Sequence, residues 1–503
     1  MNKNPLTRYL TLFFFMVSIF TGVSGQNETM ISDSIYSGIL KEERSIKVIL
    51  PDTYKPGSPE KYDVIYLTDG EWALDLFPFI YKFAKGENYV PPAIFVDIPN
   101  TYISKVNQRD RDFLPVHVDD PSISGGADKF IAFLKDELVP YINKKYPTDG
   151  NNSLYGHSYG GMFVIYTLLK EPGLFQTYYA TDPSVWWNDS YVIKLASEKL
   201  GSLPAGKLLW IAGITETYKY MGIDRMDSVL KLKATPGLKW KMTTFPNEKH
   251  NSVRLKAIYD GIKFAYSGYS ATLQFHPMNG ILLKDKPATI FLLNNYPEIR
   301  YTTDGTEPSG TSPAVDSKII LNGPAELVLK SFSASGRYDQ VAKGSFVTGE
   351  TLASSAKPKK IINGGLKYSC YAGNWEKIPD FKSLKPLQSG IADSLVSFNN
   401  MPVKSDFAIL FDGWIEIDEN GYYIFATSTK NASRLFIGKK LIIDENTLHQ
   451  SETIKSYMLP LEKGFYPVRL EYFQKEADPD LKFIYLKPGA TDPSPVPLKM
   501  MYH

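Results

Sequence analysis

Ser158 stands in Gly156-His157-Ser158-Tyr159-Gly160-Gly161, with the apolar Ser153-Leu154-Tyr155 before it and Met162-Phe163-Val164-Ile165-Tyr166-Thr167-Leu168-Leu169 behind. A serine that attacks an acyl carbon must project from a sharp strand-to-helix turn, and such a turn tolerates no bulk two residues to either side. Gly156 and Gly160 meet that need. The hydroxyl also requires a base, and an imidazole suits the task near neutral pH. His117 lies upstream, against the chain order serine, acid, histidine that this topology imposes. The side chain of His157, beside the serine, is expected to diverge from the hydroxyl. That leaves His250, in the polar loop Asn247-Glu248-Lys249-His250-Asn251-Ser252 that follows the last strand.

The acid that orients this imidazole must lie between Ser158 and His250 at the carboxyl end of a strand. Glu216, in Ala212-Gly213-Ile214-Thr215-Glu216, is the first choice, and Asp182, in Thr181-Asp182-Pro183-Ser184, the second. Asp224 and Asp227 read as members of a solvated helix. Developing negative charge on the substrate oxygen calls for preorganised amides. The N–H of Tyr159 is one, and the turn Thr68-Asp69-Gly70-Glu71-Trp72 offers the other from Gly70 or Glu71. Trp72, His157, Trp186 and Trp187 are expected to line the substrate pocket.

The elements needed to hold these groups are legible. Ser45-Ile46-Lys47-Val48-Ile49-Leu50 alternates as a strand, while Asp63-Val64-Ile65-Tyr66-Leu67 and Ala93-Ile94-Phe95-Val96-Asp97 are unbroken apolar runs, as in strands buried on both faces of a parallel sheet. Phe130, Leu134, Leu138, Tyr141 and Ile142 recur at helical spacing between Asp128 and Tyr146. Further strands are predicted at 177–180, 207–213 and 240–245, and a helix at 253–264. Strand and helix alternate to about Ser267, which predicts a three-layer α/β domain over 26–268. Beyond it, short alternating segments divided by Gly, Pro, Asn and Asp predict two all-β sandwiches, over 269–350 and 363–503, joined by a linker at 351–362.

At 503 residues, with 43% hydrophobic and 22% charged, the chain has an ordinary globular composition spread over several domains. Lys3 and Arg8, the apolar run Leu10 to Phe20 and the small residues before Gln26 read as a signal peptide over 1–25, so a periplasmic or secreted protein is expected. No cysteine follows the cleavage site to carry a lipid, and no later stretch is apolar enough to span a bilayer. Removal of the leader balances basic and acidic residues, which argues against nucleic acid as a partner. Cys370 is the single cysteine, so neither an intrachain disulfide nor a thiolate metal cluster is available.

With the residues in place, the first domain resembles the putative-esterase family of α/β-hydrolases, which includes feruloyl esterases, siderophore esterases and S-formylglutathione hydrolase. The likeness rests on Tyr66-Leu67-Thr68-Asp69-Gly70, Arg109-Asp110-Arg111-Asp112-Phe113-Leu114-Pro115, the serine elbow, Asp182-Pro183-Ser184-Val185-Trp186-Trp187-Asn188 and Glu248-Lys249-His250-Asn251-Ser252-Val253. It implies Ser158 as nucleophile and His250 as base, with no cofactor. The acid in that family is usually aspartate, so Glu216 is a departure. The segment Ile299-Arg300-Tyr301-Thr302-Thr303-Asp304-Gly305 is similar to the β-module that ends chitobiases. Tyr371-Ala372-Gly373-Asn374-Trp375, Phe411-Asp412-Gly413-Trp414 and Ser433-Arg434-Leu435-Phe436 are similar to the protective-antigen-like β-sandwich. Lys430-Asn431-Ala432 fills the stretch where sugar-binding members carry calcium-ligating aspartates, so no metal is expected. Trp375 and Trp414 read as core residues ahead of sugar-stacking platforms.

The expectation is an exported serine carboxylesterase acting on acetyl or feruloyl groups of a glycan. The competing readings are a periplasmic siderophore esterase and a non-catalytic glycan-binding protein. The substrate partner is accordingly an ester-substituted glycan or a small-molecule ester.

Overall fold

A computed structural model describes residues 29–118, 124–269, 273–292, 299–392, 402–446, 448, 452–475 and 480–503. The leader read over 1–25 lies outside the described residues. The described residues form two compact units, the residues up to Ile80 with Pro92–Gly261, and Tyr81–Pro91 with Ile262–His503.

The first unit is built on an eight-stranded sheet. Its strands are β1 (Thr29–Ser37), β2 (Glu42–Leu50), β3 (Tyr62–Thr68), β4 (Ala93–Ile98), β5 (Thr148–His157), β6 (Thr177–Thr181), β7 (Lys207–Ile214) and β8 (Leu238–Phe245). Their order in the sheet is β1-β2-β4-β3-β5-β6-β7-β8. The β1–β2 and β2–β4 pairs are antiparallel and every later pair is parallel. Central strands β3, β4, β6 and β7 are buried along their whole length. That burial is why they read as continuous apolar runs. The hairpin strand β1, half exposed and polar, carried no such signal.

The elbow helix Tyr159–Lys170 packs on β5 and β6 and is buried from Gly160 to Leu169. It belongs to one large core with Tyr66, Val96, Leu154, Phe163, Tyr178 and Ile211. The helix predicted across 128–146 is broken into Ala127–Phe133, a π-turn at Leu134–Leu138, and Val139–Lys145. Pro140 explains the interruption: it has no N–H for the carbonyl of Asp136, and its ring crowds that carbonyl, so the preceding turn widens. Among the described residues no helix is long and apolar enough to cross a membrane.

The all-β reading of the C-terminal half agrees with the structure, but the division into two modules and a linker does not match its sheets. One eight-stranded sheet runs in the order 299–302, 325–331, 341–348, 279–282, 453–461, 421–429, 482–486 and 494–495. Asn279–Leu282 pairs with Val341–Thr348 on one edge and with Thr453–Leu461 on the other, both in parallel. The interiors mix as well: Met458 packs with Phe275, Leu327 and Phe346, while Ile281 packs against the cluster of Phe425 and Leu459. Within the expected linker, Leu352 N–H donates to Pro460 O at 2.8 Å and Ser355 N–H to Phe465 O at 2.9 Å.

A second, seven-stranded sheet has Gln388–Ile391, Lys367–Ala372, Phe407–Ile417, Gly464–Gln474, Ala432–Ile437 and Lys440–Glu445 in that order, with Met501–Tyr502 beside Phe407–Ile417. Trp414 is a correction to the expected core position. Along its strand Ile409, Phe411, Ile415 and Ile417 are buried, whereas Asp412 and Trp414 alternate to the opposite face and are partly exposed. Trp375 is half-buried and edge-on to Phe473, with ring centroids 6.2 Å apart.

Candidate active site

Ser158 caps the N-terminus of the elbow helix at φ 60°, ψ −120°, a conformation that costs on the order of 1–3 kcal/mol and persists only where packing enforces it. The enforcement is visible in the glycines. A Cβ on Gly156 would lie 2.2 Å from the carbonyl oxygen of Gly160, and one on Gly160 would lie 2.9 Å from Thr68 Oγ1. The elbow therefore closes tightly on itself and on the end of β3.

His250 follows β8 in the expected loop, and its Nδ1–H donates to Asp182 Oδ2 at 2.6 Å. Asp182 is 1% exposed and held at φ 40° at the end of β6, its own N–H bonded to Ala212 O at 2.6 Å. The imidazole thus meets the second-choice acid. Glu216 is corrected to a different place: its Oε1 accepts the backbone N–H of Asn247 at 2.9 Å on the surface. Geometry explains the difference. Asp182 follows β6 directly, next to serine-bearing β5, whereas Glu216 lies two residues past β7, which is one strand farther out.

Ser158 Oγ is hydrogen-bonded to Ser184 Oγ at 3.2 Å, and among the described residues no hydrogen bond joins it to His250. The hydroxyl is held by the Asp182-Pro183-Ser184 segment, whose Ser184 N–H also donates to Ser158 O at 3.1 Å. Proton transfer requires Oγ to turn from Ser184 toward Nε2, which the bond to Asp182 leaves unprotonated on a neutral ring. Catalytic hydrogen bonds commonly tighten only when substrate arrives.

His157, expected to line the substrate pocket, packs on His250 instead. Its ring lies against that of His250, centroids 4.4 Å apart, and its Nε2–H donates to the backbone carbonyl of His250 at 2.7 Å. Burial, and then the neighbouring His250 imidazole, push its pKa down to about 3, so it stays neutral and the donor role is fixed. It is 7% exposed, which makes it a strut under the His250 loop and not a pocket wall.

Gly70–Ala73 forms one helical turn capped by Asp69 in the left-handed region. The amides of Gly70, Glu71 and Tyr159 have no acceptor among the described residues, as an oxyanion site requires. Sequence reasoning missed what fixes this turn. Arg109 clamps Asp69 bidentately, Nε to Oδ1 at 2.5 Å and Nη2 to Oδ2 at 2.7 Å, and Nη2 also donates to His157 O at 3.2 Å. Its guanidinium lies over the rings of Trp72, Phe113 and Tyr159 at 5.3–5.6 Å. One cation thereby ties the turn after β3 to the elbow. The only hint in the chain was Arg109 within a charged run, where it looked like its neighbours. Beneath the turn, Asp97 is fully buried and neither carboxyl oxygen has a hydrogen-bond partner among the described residues. Its Oδ1 would lie 2.3 Å from a Cβ on Gly70.

The aromatic residues divide. Trp72 is 50% exposed, with its carbonyl accepting from Arg254 Nη1 at 2.8 Å. Trp186 is half-buried beside the exposed Tyr220, centroids 6.1 Å apart. Trp187 is corrected to the core, 7% exposed and packed in the main cluster. The left-handed turn at Asn188, Asp189 and Ser190 follows it.

Residues 37–207 match the family model described as putative esterase, and residues 363–496 match the PA14 domain model. Over 250 residues the chain is 28% identical to the ferri-bacillibactin esterase of Bacillus subtilis, covering 44% of this chain and 86% of that one. It is 29% identical over 136 residues to the siderophore triacetylfusarinine C esterase of Aspergillus fumigatus, covering 26% and 47%. Among solved structures, an IroE-like serine hydrolase from Shewanella oneidensis is similar at 29% identity, covering 48% of this chain and 82% of that one, with a TM-score of 0.43. The BES protein of Bacillus cereus is similar at 25% identity, covering 47% and 95%, with a TM-score of 0.42. The chain is a serine hydrolase acting on ester bonds, with a putative-esterase region on the N-terminal side and a PA14 region in the C-terminal half.

Proposed function

We propose that this enzyme hydrolyses the ester bonds of a catecholate siderophore lactone outside the cytoplasm, with Ser158, His250 and Asp182 as its reacting groups. Ser158 Oγ attacks the ester carbonyl while its proton passes to Nε2 of His250. The tetrahedral oxyanion is held by the amides of Tyr159 and of Gly70 or Glu71. As the carbon–oxygen bond to the leaving alcohol breaks, the imidazolium returns the proton to it. Water then repeats the sequence on the acyl-enzyme and frees the acid. Asp182 keeps the imidazole in the required tautomer throughout.

The observation that carries this reading is the 2.6 Å bond from the His250 ring to buried Asp182 beside the serine elbow. The siderophore specificity is supported by the likeness to the ferri-bacillibactin esterase along 86% of that protein. It is supported too by the exposed rings of Trp72 and Tyr220, flat surfaces suited to aryl groups. Export follows from the leader read over 1–25.

A glycan ester is the second reading, favoured by the PA14 region and by the outward-facing Trp414. The two separate in one assay series on a triscatecholate lactone, a feruloyl ester and an acetylated xylan. The lactone is expected to open to its linear acid with kcat/KM well above the other two. Ser158→Ala should abolish both this turnover and labelling by a fluorophosphonate probe. Turnover of the glycan esters without the lactone would overturn the siderophore reading, and equal labelling of wild type and Ser158→Ala would overturn the nucleophile.

A further inference from the structure

On the outer face of the seven-stranded sheet, Lys367, Asp412, Arg469 and Phe436 lie on one rung across four neighbouring strands. Two residues along, Trp414 stands opposite Pro467. Beside them Gly438, at φ 66°, donates its N–H to Pro467 O at 2.8 Å and brings no side chain to cover the ring surface. These residues, with Lys360 and Lys439 at the edge, line an open cavity of ≈ 650 Å³.

Its charge is mostly positive. Lys360, Lys367 and Lys439 have no ion-pair partner among the described residues, whereas the two arginines of this sheet, Arg434 and Arg469, are both paired with carboxylates. Arg469 is steadied by Glu471, Nη2 to Oε1 at 2.7 Å. Asp412 is the one acidic side chain in the lining, and burial pushes its pKa up.

We propose that this groove binds an acidic saccharide, the sugar ring lying on Trp414 and Pro467 and its carboxylate or sulfate meeting Lys367, Lys439 and Lys360. Sugar C–H faces are apolar and pack on an indole, while anionic substituents on the ring edge select for cations at the rim. An apolar floor with a cationic rim on a sheet face provides both. The site is separate from the hydrolytic centre and does not depend on which ester is cleaved.

The test is affinity electrophoresis of the full-length protein in gels containing polygalacturonate, chondroitin sulfate, neutral xylan or single-stranded DNA. The acidic polysaccharides are expected to retard the wild type and neutral xylan to leave it unchanged. Trp414→Ala should weaken retardation about tenfold, as loss of a stacking contact would. Lys367→Gln with Lys439→Gln should weaken it comparably while leaving p-nitrophenyl acetate turnover and the urea-unfolding midpoint at their wild-type values, which report an intact hydrolase unit and an intact fold. Retardation that survives these substitutions, retardation by DNA equal to that by polygalacturonate, or no retardation at all would overturn the proposal.

Discussion

Burial without a hydrogen bond among the described residues makes ionisation of Asp97 oppose folding of the first unit. Desolvation raises its pKa from 3.8 to about 7; Lys47 pulls it back, while Glu71 and Asp75 push it further up. At about 1.4 kcal/mol per pH unit, that rise amounts to roughly 4 kcal/mol. For an acid whose folded pKa lies above its unfolded one, the folded state binds the extra proton. The contribution is therefore full below pH 3.8 and is lost as pH climbs through about 7. Asp97→Asn cannot ionise, but it keeps a buried polar group without a partner, at a cost of about 1–3 kcal/mol. The variant should be roughly 2 kcal/mol more stable than wild type at pH 8.5, and equal or slightly less stable at pH 5. Urea unfolding of the full-length protein at the two pH values, followed by tryptophan fluorescence and by loss of esterase activity, measures the difference. Equal destabilisation at both would refute the reasoning, because it would mean that the carboxyl is paired or already ionised. A charged Asp97 would also lie beneath Gly70, against the negative charge that the neighbouring amides are placed to hold.

The other predictions concern the imidazole. Asp182→Asn should lower kcat by about 10⁴, whereas Glu216→Gln should leave it within about threefold, and steady-state kinetics on p-nitrophenyl acetate separates the two. His157→Gln retains an N–H that can reach the His250 carbonyl and should keep most activity, while His157→Phe leaves that carbonyl without its donor and should cost roughly tenfold or more in kcat with little change in KM. Because His157 is neutral above about pH 3, the acid limb of the pH–rate profile should not move in the glutamine variant.

What could be read from the chain follows from how local each signal is. The elbow and the buried strands around it are announced by glycines and apolar runs within a few residues of Ser158, and His250 by the order of the elements. Asp182 and Glu216 could not be ranked correctly because both follow a strand in the permitted interval. The choice turns on a positive φ at Asp182 and on which strand lies next to β5, and neither leaves a local mark. The packing of His157 on His250 was not legible for a related reason: its orientation depends on a loop 93 residues away. Arg109 looked like one more charge in a charged run, since its partner Asp69 is 40 residues distant. In the C-terminal half, alternation located strands well, yet it carries no information about which strands pair. That is why the pairing of Asn279–Leu282 with Thr453–Leu461, across the modules read over 269–350 and 363–503, left no mark in the sequence.

That shared sheet bears on how the polypeptide is made and cut. The ribosome must release residues beyond 461 before the short strand near 280 has both neighbours, so everything between them waits with an open edge during synthesis. A fragment ending near 350 would keep that edge permanently and should self-associate, and recombination at the same point would not transplant a free-standing piece. In this half of the molecule, the strand at 279–282 ties the segment before 350 to the one that ends at 461.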